Sequence, residues 1–100
     1  MKVRLDAAQA AYDGLWKEFA AGRGTLESNY EWSVKWSEVA LVLAQTKQGR
    51  VAIAEAHLAR MREIIPIVQA DEERRPSFHL WASKFYVAEA EIRLARAKDK

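Results

Sequence analysis

Two histidines, His57 and His79, are the first residues in this chain that could bind a metal or move a proton. Neither stands in an E-x-x-H or H-E-x-x-H spacing, which helical di-iron and zinc sites need so that their ligands converge. His57 borders an apolar helical stripe and reads as a boundary histidine. Glu89 and Glu91 could suggest a carboxylate pair, but residues two apart on a helix point about 200° away from each other. They read as ion-paired or solvated surface. The serines, Ser28, Ser33, Ser37, Ser77 and Ser83, lack the strand–turn–helix elbow that presents a nucleophile. GRGT at 22–25 has the glycines of a phosphate-cradling loop without the Walker spacing or a preceding strand. It reads as a helix–helix turn where Arg23, beside a helix N-terminus, attracts an anion weakly. The chain has no cysteine, so thiolate metal sites, disulfides and cysteine nucleophiles are excluded. No catalytic residue, metal ligand or cofactor is expected, and the protein reads as non-enzymatic.

The stretch NYEWSVKWSEVALVLA, residues 29–44, interleaves Tyr30, Trp32 and Trp36 with charges. A nucleic-acid stacking platform needs exposed aromatics beside a coherent basic groove. Here the neighbouring charges are mostly acidic, and the net charge of the chain is only +2. The basic run Arg93, Arg96, Lys98 and Lys100 is explained by a helix dipole that favours cations in its last turn. Nucleic acid is therefore not an expected partner. No stretch is apolar enough for a transmembrane helix, and MKVRLDAAQAAYDG lacks the apolar run of a signal peptide.

The elements that must carry these residues are helices. One hundred residues, half of them hydrophobic, suit a single domain over 1–100 with a real core. Leu5, Ala8, Tyr12, Leu15 and Phe19 recur at helical spacing in a first helix, 3–21, which Gly22 ends with a left-handed cap. Thr25 caps a second helix over 26–47, with Glu27 in its first turn, and Gly49 ends it. A third helix, 50–70, carries Val51, Ala54, Leu58, Met61, Ile65 and Val68 as a heptad seam. Pro66 predicts a kink or an early end there. DEERRP at 71–76 reads as a solvated connection, and Pro76 or Ser77 opens a fourth helix over 77–98. The fold class is all-α, an antiparallel four-helix bundle or two stacked helical hairpins with heptad-like packing. A shift of 51 residues aligns the second helix with the fourth, so the two hairpins read as related.

Two helices have more apolar surface than one contact needs. The second confines Glu27, Glu31, Lys35, Glu38 and Gln45 to one sector and carries a small-residue stripe, Ser33, Ser37, Ala40 and Ala44, flanked by Trp32 and Trp36. The fourth carries an aromatic seam, Phe78, Trp81, Phe85, Ala88, Ile92 and Ala95. A second seam opposite it contains Leu80, Ser83, Val87, Ala90, Leu94 and Ala97. Two seams imply two neighbours within the fold or a face kept for another chain. Leu80, Val87, Ala90 and Leu94 form the candidate interaction face, for a homo-oligomer or a helical protein partner. The expected function is thus a helical scaffold or protein-interaction module. The alternative is a small-molecule-binding bundle whose apolar pocket is lined by Trp32, Trp36, Trp81 and Phe85.

KQGRVAIAEAHLARMREIIP places Gly49, Ala54, Leu58 and Pro66 in a pattern that resembles a single tetratricopeptide repeat over residues 38–66. More broadly, AAYDGLWKEFAAGRGTLESNYEWS, RVAIAEAHLARMREI and SKFYVAEAEIRLARAK resemble uncharacterised bacterial helical-hairpin proteins. Their Y…F-x-x-G-x-x-T turn grammar is similar to that of TolC-type outer-membrane factors. That resemblance implies an exported or envelope-associated helical scaffold and specifies no chemistry.

Overall fold

The first turn of the chain that reverses direction is fixed by local hydrogen bonding. In the computed structural model, which describes residues 2–70 and 78–99, helix α1 spans Lys2–Ala20. Gly22 follows it with φ of +87°, a backbone state that costs a residue with a Cβ far more than glycine. Its N–H donates to the Phe19 carbonyl and that of Arg23 donates to the Glu18 carbonyl, the paired closure that satisfies the last carbonyls of the helix. Thr25 then caps α2 (Leu26–Leu43), its hydroxyl accepting from the Ser28 N–H at 3.1 Å. Its own carbonyl accepts from the Asn29 side chain at 2.9 Å. Each of these devices lies within a few residues of sequence, so the α1–α2 hairpin is set locally.

The second connection differs from its expected position. α2 stops at Leu43 and Ala44 is extended, so the helix ends four residues before the expected Lys47. α3 (Lys47–Ala70) begins three residues earlier than expected, with Gly49 in its first turn rather than at the end of α2. Thr46 is the cause: its hydroxyl accepts from the Gly49 N–H at 3.0 Å and its carbonyl from the Arg50 N–H at 3.1 Å. A good N-cap displaces the glycine from the role of stop signal. Pro66 lies inside α3, which continues to Ala70 instead of ending early. Pro66 and Arg62, whose carbonyl loses its partner, are both exposed, so water can satisfy that carbonyl. The expected connection at 71–76 and the opening residues Pro76 and Ser77 lie outside the described residues. α4 spans Phe78–Asp99.

α1 packs on α2 and α3 packs on α4, giving two hairpins that meet chiefly where α2 lies against α3. The arrangement is a slab of 44 × 29 × 14 Å rather than a square bundle. Its core joins Phe19 of α1, Leu26 of α2, Leu58, Met61, Ile64 and Val68 of α3, and Ala90 of α4. On α3 the buried seam passes through Ile64, with Ile65 only half-buried. α4 lies along the slab with one face on this core. Among the described residues, no helix is long and apolar enough to cross a membrane.

Candidate functional site

α4 presents two apolar faces, and the structure assigns them in the order opposite to the expected one. Leu80, Val87 and Leu94 pack against the core and Ala90 is part of it, so the candidate interaction face Leu80–Val87–Ala90–Leu94 is spent inside the chain. The physical reason is close approach. Ala90 and Ser83 are fully buried because their small side chains let α4 settle against its neighbours. Ser83 needs no partner across the interface, since its hydroxyl donates to the Leu80 carbonyl one turn back at 2.8 Å. The face left open is the aromatic one, with Phe78 63 %, Trp81 68 %, Phe85 62 % and Ile92 52 % exposed. A row of large apolar side chains this exposed is unusual on a monomer.

The four aromatics of the candidate pocket are not gathered. Trp36 faces Tyr12 at 5.8 Å between ring centroids and carries the Arg60 guanidinium 4.2 Å above its ring. Trp32 lies half-buried under Lys35 Nζ at 4.4 Å. Trp81 and Phe85 stand out from α4 instead, on the exposed stripe.

Polar groups fix α4 and α3 onto α2. Tyr30 stacks on Tyr86 with centroids 4.1 Å apart, and its hydroxyl donates to Glu89 Oε1. Glu89 is held in turn by Arg93 Nε at 3.5 Å, one turn along α4. Glu89 is thus a structural acceptor, whereas Glu91 is exposed. Burial and the Glu89 carboxylate hold the Tyr30 phenol above its usual range.

Beneath this lies a buried cluster that answers what occupies the small-residue groove of α2. Ser33 and Ser37 admit side chains of α3. Arg60 Nε donates to Ser33 Oγ at 2.7 Å, while its Nη2 donates to Ser37 Oγ at 2.9 Å and to the Ser33 carbonyl at 3.3 Å. Ser33 Oγ also lies 2.7 Å from His57 Nδ1. Arg60 can only donate, so the Ser33 hydroxyl hydrogen is free for His57 Nδ1, and the ring proton is assigned to Nε2. That buried Nε2 has no protein partner. His57 is therefore not the boundary residue expected of it; it is fully buried, with one ring nitrogen paired and the other not. His79 is half-buried at the start of α4, against the Phe78 ring. Among the described residues no group of three or more His, Asp or Glu side chains that could hold a metal ion occurs.

Burial, reinforced by the cations of Arg60 and Arg93, pulls the His57 imidazole down to about 4. Above the unfolded value of 6.5 both states are neutral and its contribution to stability is complete. Between 6.5 and about 4 the unfolded chain takes a proton that the folded chain refuses, so stability falls on acidification. The loss attributable to His57 reaches about 2 kcal/mol near pH 5. Urea midpoints of the wild type and His57→Gln, measured near pH 7 and near pH 5, check this: the variant should lose most of the difference.

Arg60 and the Tyr30–Glu89 pair are not evident in sequence. The available signal is Arg60 itself, which shares one α3 face with His57, Ile64 and Ile53 and so cannot point to solvent without leaving that face. No family model matches the chain, and no curated protein or solved structure shows significant similarity to it.

Proposed function

We propose that the protein is a non-enzymatic helical scaffold module that self-associates through antiparallel pairing of α4 with α4 of a second copy. The observation that carries this reading is the exposed stripe Phe78, Trp81, Phe85, Ala88, Ile92, Ala95. It repeats at 3, 4, 3, 4 and 3, the spacing of a coiled-coil seam, over about 26 Å of helix.

The order of side chains along the stripe selects the partner and its direction. With a two-fold axis between positions 86 and 87, Phe85 lies opposite Ala88 of the second copy, Trp81 opposite Ile92, and Phe78 opposite Ala95. Every layer then sets a large side chain against a smaller one, as a packed interface requires. The same axis sets Lys84 beside Glu91 of the second copy, twice. Both side chains are exposed, and neither has an ion-pair partner in its own chain among the described residues. A parallel pairing would instead stack Trp81 on Trp81 and Phe85 on Phe85 and leave Ala88 facing Ala88.

Charge reversal tests the geometry. Lys84→Glu alone should weaken the dimer, because the introduced carboxylate then faces Glu91. The double variant Lys84→Glu/Glu91→Lys should restore wild-type association. In a parallel pair the double variant would set its new carboxylate against Glu89 and its new ammonium against Arg96, so failure of the rescue excludes the antiparallel arrangement.

A further inference from the structure

We propose that the cleft between α2, α3 and α4 binds a small phosphate monoester with an apolar body. The cleft has a volume of about 430 Å³, within the range of small-molecule sites. Arg50, Arg93 and Arg96 line it together with His57, and among the described residues no carboxylate does. Arg93 is shared with Glu89 at 3.5 Å, whereas Arg50 and Arg96 have no carboxylate partner among the described residues.

The second, independent observation is His57. It is 1 % exposed, it lines the cleft, and its Nε2 has no hydrogen-bond partner in the protein. The bonding of Arg60 and Ser33 assigns the ring proton to Nε2, so the unmet group is a donor. A buried donor without an acceptor is costly, and an anionic oxygen brought against it by a small shift of the His57 wall of the cleft would satisfy it. Three guanidinium groups and one N–H supply more donors than the two oxygens of a carboxylate can use, whereas a phosphate monoester offers three terminal oxygens. Leu41, Ile53, Ala54 and Ala97 supply the apolar walls that would receive the organic body.

The test is a titration of the full chain with 1-naphthyl phosphate, followed through the His57 imidazole resonances and by calorimetry. Saturable one-to-one binding that shifts His57 is expected, with 1-naphthol and inorganic phosphate each binding far more weakly. Arg50→Gln/Arg96→Gln should weaken binding about a hundredfold, roughly tenfold for each charge-assisted contact removed. Both side chains are at least partly exposed, so the variant should remain folded, which circular dichroism verifies. Trp81→Ala, on the open face of α4, should leave binding unchanged and so separates this site from self-association. An unmoved His57 at millimolar probe, or equal affinity in the arginine variant, would overturn the proposal. 2-Naphthoate binding as tightly as the phosphate would overturn the assignment to phosphate monoesters.

Discussion

Trp81→Ala is expected to weaken self-association about a thousandfold while leaving the monomer's melting temperature nearly unchanged. An interface tryptophan at the centre of a packed layer typically costs about 2 kcal/mol or more when truncated. Two-fold symmetry counts it twice, giving about 4 kcal/mol, or about three powers of ten in the dissociation constant. The monomer should not notice, because Trp81 is 68 % exposed and, among the described residues, its ring meets only Lys84 Nζ, at 5.1 Å. Surface substitutions of that kind stay within about 0.5 kcal/mol of neutral. Leu94→Ala provides the opposite signature. Leu94 packs on the core from the other face of α4, so its loss should lower the melting temperature first. Sedimentation and thermal unfolding of the two variants side by side distinguish the faces.

Arg60→Ala carries the largest expected effect on folding itself. The guanidinium bridges Ser33 and Ser37 through three hydrogen bonds and lies 4.2 Å above Trp36 and 5.5 Å above Tyr12. Its removal leaves two buried hydroxyls short of a donor and opens a void against α2. The cost is about 3 kcal/mol, which corresponds to a fall of roughly 15 °C in melting temperature for a domain of this size. Arg60→Lys should recover little, because a single ammonium cannot reach all three acceptors as the planar fork does. Arg62→Ala, two residues away and exposed, is the neutral control. Equal melting temperatures for the Arg60 and Arg62 variants would show that the cluster contributes nothing to the α2–α3 contact.

The parts of the fold legible in sequence are those decided within a few residues. Gly22 and Thr25 end and begin helices as expected because their hydrogen bonds are local. Thr46 uses the same chemistry, but Gly49 nearby offers a competing signal that points to a later connection. Pro66 reads as a helix breaker because nothing in the sequence says that its side of α3 faces water. Which face of α4 is buried is not legible, since both repeat with helical spacing and hydrophobic size favours the wrong one. The decision is tertiary: Ser83 and Ala90 allow close helix approach, and the large aromatics are left outside. The buried polar cluster is hidden for a related reason. Arginine is usually exposed, and only the juxtaposition of α2 with α3 shows that Ser33 and Ser37 form a socket for Arg60.

These assignments leave α4 with two separate duties. Its inner face and Glu89 tie it to the body of the fold, and its outer stripe is exposed, the surface that the proposed pairing would bury. Sedimentation equilibrium of the unmodified protein over a wide concentration range tests that division most directly. Self-association through α4 predicts a weight-average mass that rises from 11.4 kDa towards twice that value and then levels off, as a closed two-fold pair requires. A mass that stays at 11.4 kDa into the millimolar range would contradict it.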